Sequence, residues 1–211
     1  MTRPSRGRAL RGTHSGAGRY SIDRIPRGRA MPPRRDTVRD LLHYEYAKLI
    51  ADAAIRGRAG TAPASRVGSE YWSFVMATYR RLQKGELVPS SILRENKLLV
   101  SGDEGCAYCG CTESLQWEHI VPRAMGGPDT IDNLVRACPP CNQRKGARDP
   151  LEWYGENRSH IPRLVMGKLL KILFEAHASA GTLDARTFPE GQRLSTHRLV
   201  EVFRTLDSSS G

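Results

Sequence analysis

The sequence predicts an α+β fold, a small core of two strands and one short helix flanked on both sides by α-helices. Helical periodicity is confined to the two ends of the chain, and the segment from about 100 to 150 is rich in Cys, Gly, Pro and Asn and lacks it. That middle also holds all five cysteines, four of them as two Cys-x-x-Cys pairs. The expected organisation is an Arg-rich disordered tail (1–35), a helical N-terminal region (36–99), the cysteine-bearing core (100–150) and a helical C-terminal region (151–211), with 36–211 as one compact unit.

The tail, "MTRPSRGRALRGTHSGAGRYSIDRIPRGRAMPPRR", contains ten arginines against one acid, Asp23. It has too few large apolar groups to offset the entropy of ordering. The rest of the chain carries 23 basic and 21 acidic groups, so most of the net charge of +11 lies in the tail. A basic arm of this kind tracks phosphates by releasing counterions. The alternative is that it does nothing, with Met31 as a second candidate start.

From Thr37, "TVRDLLHYEYAKLIADAAIRG" opens with Thr37 and Asp40 at capping-box spacing and sets Val38, Leu41, Leu42, Leu49, Ile50 and Ala53 near one face. "SEYWSFVMATYRRLQKGE" stripes Trp72, Val75, Met76, Tyr79 and Leu82, which reads as a helix turning its aromatics into the core. "VPSSILRENKLLVSG" fits a short helix or a strand. Beyond residue 150, "SHIPRLVMGKLLKILFEAHASAG" predicts a long buried helix capped at Ser159 or His160, and "STHRLVEVFRTLD" a final one. No window reaches the roughly 18 apolar residues of a membrane span, and no apolar segment follows the first arginines as in a secretory signal. The cytoplasm is the expected location.

Cys106-Ala-Tyr-Cys109 and Cys138-Pro-Pro-Cys141 have the spacing of a zinc site, each pair gripping one side of a tetrahedral ion. Four thiolates leave no open coordination position, so such a zinc is structural. Cys111 is left over, a spare small residue unless it serves in another register. Between the pairs, "LQWEHIV" alternates like a short strand, "PRAMGGPDTID" reads as a loop, "NLVRAC" as a second strand and "PPCNQRKGA" as a short helix. Neighbours on a strand face opposite ways, so Glu118 and His119 share a site only if the strand end or a bulge turns one of them.

The run Glu118-His119-Ile120-Val121-Pro122, Gly126-Gly127, Asn133-Leu134, Asn142 and Lys145-Gly146, framed by the four cysteines, resembles the HNH endonuclease family. The resemblance covers about 45 residues. It implies a ββα-metal, treble-clef-like core, with Zn²⁺ structural and Mg²⁺ or Mn²⁺ catalytic. It implies His119 as general base, Asn133 as the residue that aims it, and Glu118 and Asn142 as ligands of the catalytic cation. Asn142 replaces the family's second histidine and Glu118 its commoner aspartate. Arg123, Arg144 and Lys145 are candidate phosphate contacts.

The expected activity is hydrolysis of DNA phosphodiester bonds, RNA being the less favoured substrate, in a defence, restriction or mobile-element setting. A homodimer or a defence-system protein is the alternative for a protein partner. The competing reading is a zinc-knuckle module that binds nucleic acid without catalysis.

Overall fold

Thr37 opens the first helix of the computed structural model, which describes residues 35–56, 69–100, 105–186 and 196–208. Apart from Arg35, the Arg-rich tail lies outside those residues. The Thr37 hydroxyl accepts the Asp40 N–H at 3.1 Å and the Asp40 carboxylate accepts the Thr37 N–H at 3.2 Å, the reciprocal cap that the spacing anticipates. This helix, α1 (Val38–Ala51), runs on into a π turn, Asp52–Arg56.

In α2 (Ser69–Gln83), Val75, Tyr79 and Leu82 are buried as expected, but Trp72 is 41 % exposed. The stripe therefore seals the core only from its second turn onward, and Trp72 instead meets Tyr71 edge-on. The ambiguous segment is a helix, α3 (Leu93–Val100). Its straight-chain residues favour that choice, and Ile92, Asn96 and Leu99 repeat at helical spacing on the buried side.

Two strands, β1 (Gln116–His119) and β2 (Leu134–Ala137), pair antiparallel with Gln116 opposite Ala137 and His119 opposite Leu134. A short helix follows, α4 (Pro139–Lys145), with proline in its first turn, where the missing N–H costs no bond. An unforeseen one-turn helix, α5 (Pro150–Tyr154), is capped by Asp149, which accepts the N–H groups of Leu151 and Glu152. The long helix α6 (Arg163–Ser179) starts later than expected, because 155–160 forms a 3₁₀ turn and Pro162 takes the cap position. The last element is α7 (Thr196–Ser208).

The helices α1 and α6 form the spine: α1 packs on α2 and α6, and α6 packs on α7. One apolar cluster joins them to the hairpin, since Ile120, Val121 and Val135 sit among Leu41, Val165, Leu169, Leu173 and Leu199. The 3₁₀ turns at Arg123–Met125 and Ile131–Asn133 rest on α7 and α6 respectively. The flanking helices thus hold both ends of the loop between the strands. Among the flank histidines, His43 is buried and stacked on Phe174, and His177 is buried with Nε2 3.0 Å from the Leu199 carbonyl. Among the described residues, no helix is long and apolar enough to cross a membrane.

Candidate active site and zinc cluster

The hairpin sorts its residues by strand alternation. Glu118 points inward and is 4 % exposed, opposite the fully buried Val135. Trp117 points outward with the guanidinium of its cross-strand partner Arg136 4.9 Å from the ring centroid. His119 ends the strand, and the chain then sinks through Ile120 and Val121, both fully buried, before turning at Pro122.

Asn133 closes that turn from the other side. Its side chain is wholly buried: Oδ1 accepts the Val121 N–H at 2.8 Å, and Nδ2 donates to the carbonyls of Val121 at 2.9 Å and Pro128 at 3.0 Å. Its own carbonyl accepts the Ile120 N–H at 2.8 Å. Gly127 makes this closure possible, since a Cβ there would stand 2.0 Å from the Val121 carbonyl oxygen. The paired glycines of the motif are thus a close-approach device.

Glu118 and His119 engage different groups. The Glu118 carboxylate accepts from the Lys145 ammonium at 2.5 Å through Oε1 and from the Tyr108 hydroxyl at 2.7 Å through Oε2. The Lys145 ammonium also donates to the His119 backbone carbonyl at 2.8 Å, pinning the strand end to α4. Burial lowers the Lys145 pKa against the opposing pull of Glu118, and burial together with Glu118 raises that of Tyr108 well above the ordinary phenol. The His119 ring turns instead to the loop, with Nε2 2.9 Å from Oδ1 of Asp129.

Lys145 was anticipated at a phosphate, yet its side chain is 0 % exposed and committed to Glu118 and His119. A helix-end lysine reads as solvated until the strand carboxylate beneath it is located. Arg123 and Arg144 are exposed, and Arg144 folds back to the Pro140 carbonyl at 3.1 Å. Asn142 is half-buried and lies about one helical turn before Lys145 on α4.

Cys106, Cys109, Cys138 and Cys141 bring their sulfurs within 4.8 Å of one another, with Cys109 and Cys138 at 3.6 Å. Tetrahedral zinc with Zn–S near 2.3 Å separates its sulfurs by roughly 3.8 Å, so the cluster has the size and donor chemistry of a four-thiolate zinc site. The first knuckle is fixed to the sheet, because the Ala107 N–H reaches the Arg136 carbonyl at 2.8 Å; the second forms the start of α4. Cys111 is exposed and outside the four, although its carbonyl accepts the Cys106 N–H at 2.6 Å.

Three contributors escape a reading along the sequence. Asp129 is one and Tyr108, inside the first cysteine pair, another. The third is Lys168 in α6, 0 % exposed, whose ammonium donates to Asn96 Oδ1 at 2.9 Å and to the carbonyls of Ile131 at 2.7 Å and Leu134 at 2.8 Å. Asn96 in turn donates to Asp132 at 2.5 Å. The two lysines inside the otherwise apolar "LVMGKLLKIL", Lys168 and Lys171, both buried, are the available signal for a buried cation.

The HNH endonuclease family model matches residues 106–148, from the first zinc cysteine to just past α4. Residues 106–148 are an HNH endonuclease domain. Over 58 residues the chain is 43 % identical to the CRISPR-associated endonuclease Cas9 of Corynebacterium diphtheriae, a stretch that is 26 % of this chain and 5 % of that protein. No solved structure matches the chain. The helices on either side of the HNH domain lie outside the family match.

Proposed function

We propose that this protein is a metal-dependent endonuclease that hydrolyses DNA phosphodiester bonds, leaving 5′-phosphate and 3′-hydroxyl ends. The observation that carries the reading is the HNH endonuclease match over residues 106–148, the segment that holds Glu118, His119, Asn133 and Asn142. His119 takes the proton from the attacking water; its ring is 24 % exposed at the strand end, within reach of a substrate yet backed by buried residues. Asn133 fixes the turn from which the ring projects.

Glu118 and Asn142 offer one carboxylate and one amide oxygen, donors suited to a hard divalent cation, Mg²⁺ or Mn²⁺. Each Glu118 oxygen accepts a single hydrogen bond and keeps a lone pair that a cation could use, while its charge is already met by Lys145. Such a cation supplies stabilisation of the negative charge that builds on the phosphate and the departing oxygen. Zinc in the four-cysteine cluster holds the first knuckle to α4. Arg123 and Arg144 lie exposed on the domain surface and serve as phosphate contacts.

The defining experiment is cleavage of supercoiled plasmid across a metal series with wild type and His119→Ala. The variant should lose cleavage while retaining zinc; full activity in it would falsify the catalytic assignment. One observation favours the second reading, a zinc-knuckle module that binds without cutting: Glu118 is already charge-compensated by Lys145. A binder would retard DNA in a gel without metal-dependent loss of substrate. A cytoplasmic defence setting, with a second copy or a defence protein as partner, is part of the proposal and draws on the likeness to the Cas9 segment.

A further inference from the structure

We infer that Asp129 is a positioning residue for His119, and that Asn133 acts on the His119 ring through it. The inference rests on the nuclease reading above. Asp129 Oδ1 lies 2.9 Å from His119 Nε2, and a carboxylate can only accept, so Nε2 carries the ring proton of the neutral imidazole. The Nδ1 lone pair is then the one left to take a proton from water. When it does, the ring becomes an imidazolium with its positive charge already facing a carboxylate.

The carboxylate does not reach its place by accident of a flexible loop. Asp129 follows Pro128, and the Pro128 carbonyl is held at 3.0 Å by Asn133 Nδ2. Gly127, just before, is tied by its N–H to the Pro122 carbonyl at 3.1 Å and pressed against Val121 too closely for any side chain. The other end of the ring's support is the same amide, because Asn133 grips Val121 through two hydrogen bonds and Ile120 through its backbone carbonyl. One buried side chain thereby sets the distance between residue 119 and residue 129. The Asp129 side chain itself is 67 % exposed, so it can be changed without disturbing the core.

A carboxylate hydrogen-bonded to one ring nitrogen chooses the tautomer as well as the orientation of a histidine, and substituting an amide for such a carboxylate selects the wrong tautomer. The test uses the full chain, ¹⁵N-labelled on histidine, with the His119 signal assigned by its loss in His119→Ala. Ring nitrogen shifts should show Nε2–H in the wild type. Asp129→Asn, whose amide can donate to Nε2, should populate the Nδ1–H form, and Asp129→Ala should lose the fixed preference. In steady-state cleavage both variants should lower kcat on the order of 100-fold with KM changed less than about twofold, the pattern of lost aim.

An unchanged tautomer and unchanged kcat in both variants overturn the inference, and so does either change without the other. Cleavage retained by His119→Ala would instead remove His119 as the general base, and with it the part of the inference that ties Asp129 to catalysis.

Discussion

The ammonium of Lys145 meets the carboxylate of Glu118 at 2.5 Å with almost no part of either side chain open to water. Each charge is tolerable there only because of the other, and Tyr108 and the His119 carbonyl add one further hydrogen bond to each partner. Lys145→Met should therefore destabilise the domain by about 3–5 kcal/mol, the cost of leaving one buried charge alone. Adding Glu118→Gln should recover part of that loss. Urea unfolding of the two single variants and the double variant measures the coupling, and strict additivity would contradict the pair.

Lys168 gives a pH dependence with a definite sign. Burial holds its pKa down to about 8 against the ordinary 10.5. Between those values the unfolded chain keeps a proton that the folded chain has released, so this group's contribution to stability rises with pH and is lost as pH falls through 8. Wild type should gain stability relative to Lys168→Met between pH 7.5 and 9.5. The effect of Tyr108, which runs the other way, is shared by both proteins and cancels in the difference. Urea midpoints of the pair at the two pH values provide the measurement.

Gly127→Ala places a methyl group where the Val121 carbonyl oxygen is 2.0 Å away, so the turn must open. The zinc cluster lies elsewhere in the domain and should stay loaded. Plasmid cleavage should fall on the order of 100-fold while zinc content is unchanged. Full cleavage by this variant would show that the close approach is dispensable.

Removing a zinc thiolate should act on folding first. Cys138 both joins the cluster and stands at the cap of α4, the helix that carries Asn142 and Lys145. Cys138→Ala should lose bound zinc and cooperative unfolding together, because thiolate-bound zinc supplies folding energy in small sites. A zinc-free variant with the wild-type thermal midpoint would argue against a structural role.

What the sequence discloses follows from the range over which each signal acts. The Thr37–Asp40 cap, the strand alternation around Glu118 and the cysteine spacing are local, and the structure shows each of them in place. The extended reading of α3 remained a rival because eight residues hold barely two helical periods. The one-turn helix α5 capped by Asp149 is too short for its five residues to show a helical period. Lys145 looked like a surface cation because its partner is 27 residues away, and Lys168 meets the hairpin from more than 30 residues off. Asp129 lies in the loop itself, but nothing in "GGPDTID" says which way a carboxylate will turn. Pairings that close across the fold leave no periodicity for a reader to find.

Lys168 sits twenty residues beyond the end of the HNH match, yet it supplies the positive charge on which Ile131 and Leu134 rest their carbonyls. Cut out at its family boundaries and grafted into another protein, the domain would arrive with the Ile131 and Leu134 carbonyls, on either side of Asn133, stripped of the ammonium that binds them. The unit that can be exchanged between proteins is therefore larger than the unit that can be recognised in them, and a host for this cassette would have to furnish a buried cation of its own.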